Sequence, residues 1–174
     1  MSTTLQVTYG SNSTLTTTAL ATLGSSATVG WQSAGPSTSG LDNRSNKYPD
    51  FLVSVNVGTG AGSLVNKTVY VYAVPWYHDG TNWVCGGDTG TATNNLSDGA
   101  QAASITSASP NNLGMPLMQV AVPAASGSYF AEAKLSTRFG PVMPHAFQLF
   151  VINDTGLTLS TGVIKITPVT YVSA

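Results

Sequence analysis

The chain has 174 residues, only 7% of them charged, and six Lys and Arg against seven Asp and Glu leave a formal charge of −1. Phosphate recognition works through clustered positive charge, and these cations are scattered singly, so nucleic acid is not expected as a partner. The single cysteine excludes an internal disulfide, and no apolar run approaches the length of a membrane span, so no membrane partner is expected either.

What remains favours strands. Thr and Ser number 43, beside 17 Val and 18 Gly, a mix that suits strands joined by turns better than helices. The length fits one domain. A surface this poor in charge, against roughly 25% in ordinary globular proteins, suits a protein covered by neighbours or carried in an extracellular particle. It argues against a free cytosolic enzyme. Residues 1–10 carry no Lys or Arg and no apolar run, so no signal peptide is expected.

In chain order, residues 1–24 are Thr-rich. Leu5, Val7 and Tyr9 alternate with Gln6 and Thr8, which reads as an N-terminal arm or edge strand outside the main domain at 25–174. A strand is expected over 27–33, with Val29 and Trp31 on one face, followed by a polar loop over 34–47. Residues 48–57 alternate cleanly, with Phe51, Val53, Val55 and Val57 on one face. Residues 67–76 place Val69, Val71 and Ala73 opposite Tyr70, Tyr72 and Val74. The spacing of these last two strands predicts an antiparallel pair. Asp79-Gly80 is a hairpin turn into 81–85. The long polar stretch 86–112, with Leu96 and Ile105 as its anchors, reads as a contact-making loop.

Strands are then expected over 117–122 and 126–133; the alternative for Glu132 to Phe139 is one helical turn closed by Gly140. The most apolar run follows at 146–152. Phe147, Leu149 and Val151 occupy one face; Ala146, Phe150 and Ile152 the other, interrupted only by Gln148. A strand apolar on both faces belongs in the middle of a layered core. Asn153-Asp154-Thr155-Gly156 supplies a turn, and Leu157 and Leu159 read as its return strand. Residues 162–172 close the chain, with Ile164, Ile166, Thr170 and Val172 on one face. Pro168, which has no N–H, predicts an edge or a bulge there. The sum is an all-β, single-domain, two-sheet antiparallel sandwich with the jelly roll as leading topology, although an immunoglobulin-like sandwich gives a similar pattern in one dimension.

Chemistry is harder to find. Cys85, His78 and Asp79 or Asp88 have the residue types of a nucleophile with its base, but no local signature surrounds Cys85. Glycoside hydrolysis needs two carboxyls facing a cleft, and all acids but Glu132 fall in apparent turns or strand entries. Two His and one Cys do not make a zinc spacing. Asp79, Asp88 and Asp98 have the ligand type for calcium, without the EF-hand pattern. Trp76, Tyr77, His78 and Trp83 cluster about one hairpin, where they either stack on a sugar or partner, or cap the core. His145, after Pro144, reads as a satisfied core-edge histidine. No catalytic residue, cofactor or metal site is assigned.

Five segments carry a resemblance: Ser25-Ser26-Ala27-Thr28-Val29-Gly30-Trp31-Gln32-Ser33, Asn46-Lys47-Tyr48-Pro49-Asp50-Phe51-Leu52-Val53-Ser54-Val55, Lys67-Thr68-Val69-Tyr70-Val71-Tyr72-Ala73, Phe139-Gly140-Pro141-Val142-Met143-Pro144 and Phe150-Val151-Ile152-Asn153-Asp154-Thr155-Gly156. Their order resembles small jelly-roll virion proteins of tailed bacteriophages, of the head decoration or cement type, from about residue 20 to the end. The resemblance implies a non-enzymatic structural protein, a homotrimer seated on the major capsid protein of a virion assembled in the host cytoplasm. The alternative is a jelly-roll module of a tail, baseplate or fibre, binding a host-surface glycan or another virion protein.

Overall fold

A computed structural model describes residues 5–15, 17–27, 29–35, 41–85, 105–106 and 115–173. Their strands form two antiparallel sheets packed as a sandwich. Sheet I holds β1 (Leu5–Tyr9), β2 (Ser13–Thr14), β4 (Asp50–Thr59), β9 (Ser128–Lys134) and β11 (Leu159–Ser173), in the order β1-β11-β4-β9 with β2 also on β11. Sheet II holds β3 (Val29–Gln32), β5 (Thr68–His78), β6 (Trp83–Cys85), β7 (Ile105–Thr106), β8 (Met118–Ala121) and β10 (Ala146–Asp154). Its order is β6-β5-β10-β3-β7, with β8 also on β5. The long strands alternate between sheets along the chain, and the pairs β4·β11 and β5·β10 nest one inside the other. That rolled arrangement is a jelly-roll-like sandwich.

Two pairings differ from the sequence expectation for one reason. β4 and β5 were expected side by side, yet β4 lies between β11 and β9 while β5 lies beside β10 in the opposite sheet. Likewise, 146–152 and its return segment do not form a hairpin: β10 is in sheet II and β11 in sheet I. Alternation identifies which side chains face the core but not which sheet carries them. The crossing after β10 is pinned by Asn153, whose buried Nδ2 donates to the carbonyls of Leu23 (2.9 Å) and Leu157 (2.7 Å).

Pro168 also departs from expectation. It lies inside β11, opposite Phe51 of β4, and the register shift of that ladder falls instead at Leu159/Thr161. The Pro168 carbonyl accepts from Gly10 N (2.9 Å). In an antiparallel strand the N–H and C=O of one residue point to the same side. The missing donor therefore faces Gly10, where the reciprocal bond cannot form and the β1 ladder ends at Tyr9–Val169.

The main core lies between the sheets. Val53, Val55, Ile164 and Ile166 of sheet I meet Val69, Val71, Leu149 and Val151 of sheet II, each at most 2% exposed. Leu20 and Leu23, ahead of residue 25, belong to this same cluster. The other face of sheet II carries a second buried cluster: Tyr72, Val74, Trp76, Cys85, Ala146, Phe150 and Ile152. β10 is thus buried on both faces, as its composition predicts. Burial of each large apolar side chain stabilises by roughly 1.5–3 kcal/mol. Phe150 reaches its place because β3 carries Gly30: a Cβ there would lie 2.6 Å from Phe150 Cζ and 2.5 Å from the Val151 carbonyl oxygen.

After β9 a helical turn forms as α1 (Ser136–Phe139), stopped by Gly140 at φ 77°. Its first turn is anchored by the buried Asp50, which accepts from Ser136 N (2.9 Å) and Ser136 Oγ (2.6 Å).

Candidate functional site

Three segments converge at one end of sheet II: residues 41–49, the β5–β6 hairpin and residues 141–145. Asp42 bridges to Ala146, Asn43 N donates to the His145 carbonyl (2.7 Å), and His78 N donates to His145 Nδ1 (3.0 Å). The first loop is shaped by the buried Asn43, which donates to Tyr48 O (2.9 Å) and accepts from Tyr48 N (2.8 Å). Lys47 sits at φ 51°, a left-handed conformation uncommon for a non-glycine residue. The clamp holds Arg44 and Lys47 on the outside of the loop.

Arg44 is fixed from two sides. Its guanidinium carbon lies 4.5 Å from the centroid of the Trp83 ring, and its Nε and Nη2 donate to the Asp42 carboxylate at 2.7–3.0 Å. The Arg44 hydrogen bond holds the Asp42 carboxyl below its ordinary 3.8, against partial burial that pushes the other way. The His78 ring packs edge-on to Trp83 at 4.9 Å, and Tyr77 is edge-on to His145 at 6.1 Å. Because His145 Nδ1 accepts a backbone N–H, the neutral ring carries its proton on Nε2.

Beside this cluster runs an open groove of about 480 Å³. Tyr48, Pro49, Val142 and Met143 give it apolar walls; Arg44, Lys47 and His145 give it a basic rim. No carboxylate lines it, and the Lys47 ammonium has no ion-pair partner among the described residues. The groove offers cationic and N–H donors to an anionic or hydroxyl-rich group.

The sequence candidates fall as follows. Trp76 is 4% exposed and donates from Nε1 to Gln148 Oε1 (3.0 Å), so it is a core residue. Trp83 is half-buried and Tyr77 is exposed. Cys85 is buried opposite Trp76, and His78 lies opposite Trp83, so the two are diagonal and not adjacent in the ladder. Asp79 does not orient His78. Its Oδ1 accepts from Asn82 N (2.7 Å) and Thr81 N (2.8 Å), which hold its carboxyl below 3.8. His145 is exposed, with Nδ1 satisfied.

The remaining described acids are also engaged: Asp50 at α1, Glu132 with Ser54 Oγ (2.5 Å) and Asp154 with Asn66 Nδ2 (2.9 Å). Asp88, Asp98 and Leu96 lie outside the described residues. Among the described residues no group of three or more His, Cys, Asp or Glu is placed to hold a metal, and no helix is long and apolar enough to cross a membrane. Sequence reasoning missed Arg44 altogether. It sits in a run of turn residues 39 positions before Trp83, and nothing local announces that the two will stack. Compared with protein-family models, curated proteins and solved structures, the chain matches none.

Proposed function

We propose that this chain is a non-enzymatic structural protein of a tailed-phage virion, a head decoration or cement protein that binds the major capsid protein as a homotrimer and stabilises the shell. The observation that carries the reading is where the apolar side chains lie. The sandwich is closed around its own core, yet Leu5, Val7, Tyr9, Phe130, Val163 and Tyr171 stand exposed on the outer face of sheet I. Leu5, Val7, Tyr9 and Tyr171 gather on the β1–β11 ribbon, with Phe130 and Val163 as a second small group at the other end of β11, and exposed apolar groups set together in this way mark contact points. A cement protein acts by binding the assembled shell in preference to the opened one, which calls for a self-supporting fold and contact faces. The sequence resemblance points the same way. The test is to fractionate virions into heads and tails and quantify the protein in each, at fixed stoichiometry if it is cement. Its absence from heads together with presence in tails would sink the reading.

A second reading, a tail, baseplate or fibre module that binds host glycan, draws on the basic groove beside Tyr77. Against it, Arg44 already occupies a face of Trp83. Trp31 and Trp76 are buried, so Trp83 is the tryptophan whose fluorescence a bound sugar would alter. A flat response across host saccharides would remove this alternative.

A further inference from the structure

We infer that His145 is an acid-sensitive latch: its neutral ring ties the β5–β6 hairpin to the 141–145 loop, and protonation unties them. The latch lies within this one chain and is independent of the virion reading.

The β5·β10 ladder begins with Trp76 opposite Ala146, so Tyr77 and His78 run on past the start of β10. Beyond that point a side chain serves as the acceptor. His145 Nδ1 takes the His78 N–H at 3.0 Å, and the same ring meets Tyr77 edge-on at 6.1 Å. The His145 carbonyl takes the Asn43 N–H at 2.7 Å. One residue thus fastens the hairpin on one side and the 41–49 loop on the other, but the two bonds differ in kind. A carbonyl accepts at any ordinary pH. An imidazole nitrogen accepts only while it is unprotonated, because both ring nitrogens of the cation are donors. Histidine is the side chain that ordinarily changes charge between about pH 8 and 5. Acid therefore turns the His145 acceptor into a donor aimed at another donor.

The neighbours decide where the charged ring goes. The 41–49 loop brings Arg44, Lys47 and Tyr48 to the groove that His145 lines, and no carboxylate lines it among the described residues. The acids on the packed elements are already engaged. Arg44 holds Asp42 at 2.7–3.0 Å, and Asp79 Oδ1 accepts from Thr81 N and Asn82 N. Residues 141–144 carry no charge. A protonated His145 thus has lost its bond, has two cations along its groove and is exposed, so it turns to water. His78 is the second imidazole here. Its Nδ1 takes the Gly80 N–H (3.1 Å) inside the turn, so its own protonation loosens the turn and leaves the bond to His145 in place. The turn itself is kept by Asp79, whose carboxyl lies below its ordinary 3.8 because those two N–H groups bond the charged form. The hairpin therefore stays folded while its tie to the loop opens.

The test is amide hydrogen exchange at residue 78, read by NMR from about pH 8 to 5. It is expressed as protection relative to the unfolded chain at each pH, in the wild type, in His78→Asn and in His78→Asn/His145→Asn. His78→Asn removes the nearer ring but keeps an oxygen where Nδ1 accepted from Gly80, so the residue 78 amide then reports on His145 alone. His145→Asn places a carbonyl oxygen at the position of Nδ1, an acceptor that acid does not remove. Protection at residue 78 should fall by roughly fivefold in the wild type and in His78→Asn, the measure of one ordinary hydrogen bond. The fall should track the shift of the His145 ring protons, and the double variant should hold steady. Amides of β10, protected throughout, check that each variant is folded. Protection at residue 78 that is absent at pH 8, or constant while the His145 ring titrates, overturns the inference in the wild type alone. An equal fall in the folded double variant overturns it as well.

Discussion

The two sheets differ on the faces they turn away from each other. Sheet II is sealed there within a single chain, with Tyr72, Val74, Trp76, Phe150 and Ile152 each at most 5% exposed. Sheet I leaves Leu5, Val7, Tyr9, Phe130 and Tyr171 in solvent. The outer face of sheet II is apolar and closed; that of sheet I sets its exposed apolar side chains among polar ones, with Ser54, Glu132 and Lys165 in one row across β4, β9 and β11. The difference teaches that apolar character in a strand does not say whether the chain itself or a neighbour will cover it.

The largest effect that would test this contrast is at two phenylalanines. Phe150→Ala removes a fully buried ring and should cost about 3–5 kcal/mol in denaturant unfolding. Phe130→Ala, measured on the dissociated chain, should stay within about 0.5 kcal/mol. Equal costs would break the comparison. Next in size is Gln148→Leu. Gln148 accepts from Trp76 Nε1 and donates to Ser33 O (2.7 Å) from a fully buried position. Its loss strands a donor and an acceptor, for about 1–3 kcal/mol. Gly30→Ala should cost a similar 1–3 kcal/mol by forcing Phe150 and the Val151 carbonyl away from the new methyl. A neutral Gly30→Ala would mean that the outer layer of sheet II is loosely packed.

The smallest effect is at the exposed Asp79 turn. Its carboxyl lies below the ordinary 3.8 because the Asn82 and Thr81 N–H groups bond the charged form. The contribution is therefore complete above the unfolded value and lost as pH falls through the lower folded one. In an NMR titration the Thr81 and Asn82 amides should hold steady from neutral pH to about 4 and shift only below it. A midpoint above 3.8 would contradict the turn geometry.

Much of this fold is legible in the chain. The run at 146–152 announces a strand buried on both faces because both alternating sets are apolar. Gly140 announces the end of α1 because it tolerates φ 77°. The partnering of strands is not legible. β4 and β5 alternate as neighbours would, but one-dimensional periodicity carries no sheet label, and the two meet across the core instead of along an edge. Pro168 was misread because its missing N–H ends only the β1 ladder, while the β4 ladder on the other side runs on past it. At the candidate groove, Trp83 and His145 were visible as residue types. The stacking of Arg44 and the bond from His78 N to His145 Nδ1 join segments 39 and 67 residues apart, beyond any local pattern.

The most direct measurement is amide hydrogen exchange along β1 and β10, followed from dilute to concentrated protein and then on heads. The account predicts that β10 exchanges slowly throughout, while protection of Leu5–Tyr9 rises with concentration and is highest on heads. Fast exchange of β1 under every condition would contradict it, because sheet I would then have no neighbour to complete it.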